Sequence, residues 1–205
     1  MEDIFKPQSL TVGELFGNKD ALYQIPKYQR PYSWGEDQLS KLWDDLIEAQ
    51  QFEPNYFLGS IITAKPEEAS NYLDIVDGQQ RLTSLLILLC VCRDVFPNIN
   101  DDIIETDPFA IDSSTIKSSI RLNDRFERLR LKTHSNHESD FQELIVKEGR
   151  SIENKRPTKK DLRIEQAPIH KFKNTSVFFV EKMKDLGDKE TGKFINYLFN
   201  NVKII

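Results

Sequence analysis

The passage from Tyr72 to Cys92 restricts the fold most. A β-favouring run, Tyr72-Leu73-Asp74-Ile75-Val76, gives way to Asp77-Gly78-Gln79-Gln80-Arg81 and then to the apolar run from Leu82 to Cys92. The last run is too long for one strand and reads as a buried helix, while the first has strand composition. The pentapeptide is therefore a strand-to-helix turn, and polar side chains at such a junction are rarely there for packing. The first turn of a helix carries N–H groups without intrahelical acceptors and a partial positive charge, so an arginine added there makes an anion site. Phosphate is the obvious anion.

Each residue type in the turn has a chemical use. Gly78 permits a positive φ or close approach of a ligand, and Gln79 and Gln80 each bring a donor and an acceptor. Arg81 offers a bidentate fork to phosphate oxygens, and Asp77 can hold Mg²⁺, orient a water or pin Arg81. The plainer alternative has Asp77 capping the helix and Arg81 paired with a surface acid.

With 205 residues and 39% hydrophobic content, the chain suits one large domain or a domain with a helical annex. It contains no apolar stretch of about 18 residues or more that would span a membrane. Its first residues, Met1 to Lys6, lack the form of a secretion signal, so a cytoplasmic protein is expected. Cys90 and Cys92 lie two apart in the most apolar segment and read as small buried hydrophobes. The net charge of -5 is unevenly spread: residues 1–116 carry 8 Lys+Arg against 20 Asp+Glu, and residues 117–173 carry 15 against 9. A basic middle allows a cationic face toward DNA, although a solvated helical face of mixed charge is the commoner outcome.

Nearer the N-terminus, Thr11-Val12-Gly13-Glu14 has capping-box form and opens a short helix that Gly17 to Asp20 ends. Ala21 to Ile25 suits a strand. Pro26 and Pro31 then exclude helix from Ile25 to Trp34. Ser33-Trp34-Gly35-Glu36 reads as a second capping box, followed by Leu39, Leu42, Trp43, Leu46 and Ile47 at helical spacing. Tyr56 to Ala64 reads as one strand, joined through Lys65 to Asn71 to the strand ending at Val76 as an antiparallel hairpin. The stiff segment from Tyr28 to Trp34 offers aromatic faces, an amide and a guanidinium that suit stacked bases. Packing is the alternative for its rings, and is favoured for Trp43 and Tyr32. Arg30, which no amphipathic pattern explains, is the second anion ligand after Arg81.

Beyond residue 100 the pattern is less regular. Arg128 to Lys132 alternates like a strand, and Phe141 to Ile145, Ile164 to Leu186 and Lys193 to Phe199 look helical, with Pro168 marking a start or kink. Lys147 to Lys160 reads as a charged loop, and Asn200 to Ile205 as the start of a strand. His134 and His137, in a polar stretch without a third ligand, read as solvated side chains rather than a metal site.

Four blocks in order, Ile25-Pro26-Lys27-Tyr28-Gln29-Arg30-Pro31-Tyr32-Ser33-Trp34, Leu42-Trp43-Asp44-Asp45-Leu46, Tyr56-Phe57-Leu58-Gly59-Ser60-Ile61 and Asp77-Gly78-Gln79-Gln80-Arg81-Leu82-Thr83-Ser84-Leu85, closely resemble the N-terminal domain of GmrSD-type, modification-dependent (type IV) restriction enzymes. The resemblance is specific over roughly residues 5 to 95, with Phe172 to Leu186 similar to a family helix. It implies an α+β fold: a ParB/sulfiredoxin-like core with a small mixed sheet over residues 1–100, then a mainly helical annex over 101–205.

The resemblance also implies a nucleotide-binding, nucleoside triphosphate-hydrolysing regulatory domain serving defence against modified foreign DNA. Its cofactors would be GTP or another nucleoside triphosphate and Mg²⁺. Asp77, Gln79 and Arg81 would be catalytic, with Asp77 holding the metal. Gly78, Gln80, Arg81, Thr83, Ser84 and Arg30 would contact the nucleotide, and Tyr28, Gln29, Arg30, Tyr32 and Trp34 would face DNA. A homodimer is allowed, and cleavage would fall to a C-terminal His-Asn-His nuclease domain in the same or a partner chain. Because a later family block is missing, the chain reads as part of a longer protein. A non-enzymatic DNA-sensing module and a ParB-like nuclease are the alternatives.

Overall fold

A helix from Gln79 to Val95 (α3 below) is buried on nearly every side, and the other elements are arranged around it. The structure, a computed structural model, describes residues 7–18, 21–66, 70–156 and 168–205. In chain order the strands are β1 (Leu10–Thr11), β2 (Leu22–Gln24), β3 (Tyr56–Gly59), β4 (Ile62–Ala64), β5 (Tyr72–Asp77), β6 (Leu131–Lys132) and β7 (Val202–Ile204). The α-helices are α1 (Val12–Gly17), α2 (Glu36–Phe52), α3 (Gln79–Val95), α4 (Ser113–Ile120), α5 (Glu138–Phe141), α6 (Pro168–Leu186) and α7 (Asp188–Asn201). A π-helical turn (Gln142–Val146) continues α5, and a 3₁₀ turn (Ser151–Glu153) follows. Helices and two small mixed sheets make this an α+β fold, as expected.

One sheet has the order β4-β5-β2-β6, with β2 parallel to both β5 and β6 and β4 antiparallel to β5. The other has the order β1-β7-β3, with β7 antiparallel to β1 and parallel to β3. Strands from the second half of the chain are thus built into both sheets, and one hydrophobic cluster runs from Val12 to Ile204. Within it Trp43 packs 5.0 Å, centroid to centroid, from Phe194, as its helical spacing suggested. Burial pushes the Cys90 thiol up to about 12 and the Cys92 thiol higher still, in keeping with their reading as apolar side chains. Among the described residues no helix is long and apolar enough to cross a membrane.

The Thr11 capping box is present: Thr11 Oγ1 accepts from Glu14 N at 3.1 Å, and Glu14 Oε2 accepts from Thr11 N at 2.7 Å. Three local expectations are corrected. The run from Tyr56 to Ala64 is two strands in different sheets, because a register shift at Phe57/Gly59 and a φ of +126° at Gly59 turn the chain. The cap of α2 is Gly35 rather than Ser33, with the Gly35 N–H donating to Gln38 Oε1 at 2.9 Å. The loop expected from Lys147 contains the 3₁₀ turn with a fully buried Ser151; its residues 157–160 lie outside those described, as does the start of the helix expected at Ile164.

Candidate functional site at the start of the central helix

The turn between β5 and α3 is made by Gly78, which holds the N-cap position of α3 with φ +88° and ψ 3°, left-handed backbone. A Cβ there would lie 2.8 Å from Ile61 Cγ1 and 3.2 Å from the Ser60 carbonyl oxygen, so both conformation and space demand glycine. Gly78 O accepts from Leu82 N at 3.1 Å, the first helical bond, and the N–H groups of Gln79, Gln80 and Arg81 precede any intrahelical acceptor. Asp77 is exposed and does not cap α3, so the capping alternative for it falls.

The two glutamines point inward. Gln80 Oε1 accepts from Ser33 N at 2.8 Å while Gln80 Nε2 donates to Pro31 O at 3.2 Å, clasping the Pro31–Ser33 backbone. That clasp occupies Ser33 N, which the expected Ser33 cap had assigned to α2. Gln29 Nε2 donates to Val76 O at 2.7 Å, leaving its oxygen to accept from Gln79 Nε2 at 3.1 Å. This relay fixes both amides and directs Gln79 Oε1 to a buried position with no hydrogen-bond partner; the Thr83 hydroxyl is likewise enclosed and unpartnered. A buried polar group in that state costs about 1–3 kcal/mol, of the kind kept near functional sites.

Of the aromatic segment, only Tyr28 presents an open ring, at 71% exposure. Tyr32 is buried against Phe172, ring centroids 5.5 Å apart, and its hydroxyl shares hydrogen bonds with Ser84 Oγ at 2.7 Å and Thr175 Oγ1 at 3.0 Å. Burial outweighs those bonds and pushes its pKa up to about 12. The DNA-facing role expected of Tyr32 is therefore corrected to packing, and Trp34 is partly buried against the same core. Thr83 and Ser84, expected at the nucleotide, are fully buried and face the interior of the helix packing. Gln79 and Gln80, both over nine-tenths buried, bind the Tyr28–Ser33 segment to the turn rather than standing open.

Of the charged residues expected at the site, Asp77 and Arg30 are exposed and Arg81 is partly exposed. Among the described residues Arg81 pairs with no acid: its Nη1 donates to the Ser60 carbonyl at 3.1 Å, and its guanidinium lies over Gly59. Sequence reasoning missed Gly59 and Ser60 as the seat of this side chain, although both sit in the Tyr56–Ile61 block. It also misplaced His134, which is buried; its Nε2 donates to Lys27 O at 3.0 Å and its Nδ1 accepts from Asn136 N at 3.3 Å, tying the Tyr28 loop to the second half of the chain.

Among the described residues no three His, Cys, Asp or Glu side chains converge as a metal site. Asp77, the carboxylate expected to hold Mg²⁺, is exposed at the turn. No curated protein matches the chain. The family model described as the GmrSD restriction endonuclease, N-terminal domain, matches residues 12–205. With the match running over nearly all of the sequence, the chain belongs to that family.

Proposed function

We propose that this chain is the nucleotide-binding regulatory domain of a restriction protein that acts on modified foreign DNA as phage defence, and that a nucleoside triphosphate with Mg²⁺ binds at the Asp77–Arg81 turn. The observation that carries the reading is the turn itself: a left-handed Gly78 opening a 17-residue helix, with Arg81 beside N–H groups that lack intrahelical acceptors and, among the described residues, no carboxylate paired to it. Helix N-terminus and guanidinium favour the same negatively charged ligand. The roles differ from residue to residue. Arg81 and the backbone of Gly78 to Arg81 bind phosphate, Asp77 orients a hydrated Mg²⁺, and Arg30 supplies a second cation from the segment that Gln79 and Gln80 hold in place. Hydrolysis follows if the bound metal polarises the terminal phosphate and a water reaches it; the rest of the restriction protein supplies DNA cleavage.

The DNA-sensing reading has one feature in its favour, a groove of about 1300 Å³ that includes Lys117, Arg121 and Lys147 in the basic stretch. Glu127, Glu138, Glu143 and Glu148 line the same groove, with Lys117 and Lys147 paired to Glu148 and Glu143. A charge-balanced groove is a poor phosphate-backbone track. The nucleotide reading is favoured.

Arg81→Ala tests it. Loss of charge-assisted bonds to phosphate is expected to weaken binding of Mg-ATP or Mg-GTP on the order of tenfold or more. The melting temperature should change little, because the side chain is part-exposed and makes one bond to a surface carbonyl. Equal affinity of wild type and variant would contradict the assignment, and global unfolding would mark Arg81 as structural.

A further inference from the structure

The seat of Arg81 has an unusual construction. Gly59 closes β3 at a register shift, with φ +126°, a conformation side chains rarely adopt. A Cβ built on Gly59 would come 2.8 Å from Arg81 Nη1 and 2.9 Å from both Cζ and Nη2. The guanidinium thus lies flat against backbone that has no side chain to hold it off. The residues flanking Ser60 are both bound to Ile205, just past β7: Ile61 N donates to Ile205 O at 2.7 Å, and Ile205 N donates to Gly59 O at 3.4 Å. The Ser60 carbonyl, next to the outer strand of its sheet, is left to accept from Arg81 Nη1 at 3.1 Å. Nε and Nη2 of Arg81 have no acceptor among the described residues, so part of the fork remains for another anion.

We infer that Gly59 is a positioning residue for Arg81: the bare Gly59–Ser60 backbone, clamped by β7, sets the orientation in which the guanidinium meets the phosphates. This rests on the nucleotide reading above for its ligand, but the seat itself is a property of the protein alone. The bulge at Phe57/Gly59, which breaks the long strand into two sheets, is what aims the Ser60 carbonyl at α3. The change of sheet and the placement of Arg81 are then one structural event. A side chain at position 59 displaces the guanidinium, and with it the geometry of phosphate contact, without touching the ligand.

Two readouts test the inference on the 205-residue chain. In protein labelled with ¹⁵N-arginine, the Arg81 Nη protons, identified by their loss in Arg81→Lys, are expected as separate, slowly exchanging resonances in the free wild type and as averaged ones in Gly59→Ala. In titrations with Mg-ATP and Mg-GTP, Gly59→Ala and Arg81→Ala are each expected to lower affinity on the order of tenfold. The double variant should fall no more than about twofold further, since both changes remove one interaction. Averaged Nη resonances in the wild type overturn the inference even if Gly59→Ala fails to fold. So do single losses that multiply in the double variant, or Gly59→Ala binding like wild type. Slow Nη resonances in a wild type that binds neither nucleotide uphold the seat and overturn the nucleotide reading instead.

Discussion

Asp94→Ala is expected to lower the unfolding free energy by about 3–5 kcal/mol, the range for breaking one side of a buried ion pair. The Asp94 side chain has 0% exposure and Arg93 beside it 7%. Asp94 Oδ1 accepts from Arg93 Nε at 2.7 Å and Gly149 N at 3.0 Å; Oδ2 accepts from Arg93 Nη2 at 3.0 Å, Ser151 Oγ at 2.6 Å and Ser151 N at 3.2 Å. Arg93 Nη1 also donates to Val146 O at 2.7 Å, so the pair fastens the C-terminal end of α3 to the π turn and the 3₁₀ turn. Alanine strands the guanidinium and the Gly149 and Ser151 donors in the interior together. Urea unfolding reads the loss as a fall in midpoint with the slope unchanged. A loss below about 1 kcal/mol would mean the network is hydrated or replaced.

Gly78→Val is the second large effect, placed at the other end of the same helix. A β-branched residue at φ +88° carries a left-handed backbone penalty of about 1–2 kcal/mol. Its Cβ would also sit 2.8 Å from Ile61 Cγ1, an overpacking contact worth about 1–3 kcal/mol more. The expected outcome is a loss of about 2–5 kcal/mol in stability, accompanied by loss of nucleotide binding. Gly78→Val unfolding at the wild-type midpoint would show that the turn relaxes freely, and the demand for glycine would then come from the ligand alone.

Much of this was legible in the sequence, for identifiable reasons. The helices at Leu39 and Leu82 are long and carry strong apolar patterning, so tertiary context had little to override. The turn at Asp77–Arg81 was legible because polar chemistry interrupts two apolar runs. The direction in which its side chains point was not, because a glutamine facing solvent and one bonded to a distant backbone look alike in sequence. Gln80 could be placed only once Pro31 and Ser33 came near it, and the same contact displaced the expected Ser33 cap to Gly35. The break at Ser60 was hidden because Tyr56 to Ala64 has strand composition throughout. Only the partner strands, β7 on one side and β5 on the other, divide it. His134 was misread for a related reason: its neighbours Ser135 and Asn136 are polar, yet a carbonyl over a hundred residues away, that of Lys27, fills its hydrogen bond.

The most direct measurement is a titration of the wild-type chain with Mg-ATP and Mg-GTP followed through backbone amide resonances. Saturable shifts concentrated at Asp77 to Arg81, with smaller ones at Gly59 and Ser60, are the result predicted by a phosphate site at the start of α3. Binding that shifts the groove around Lys117 and Arg121 while leaving Gly78 to Arg81 unmoved, or no saturable shift at millimolar nucleotide, would contradict it.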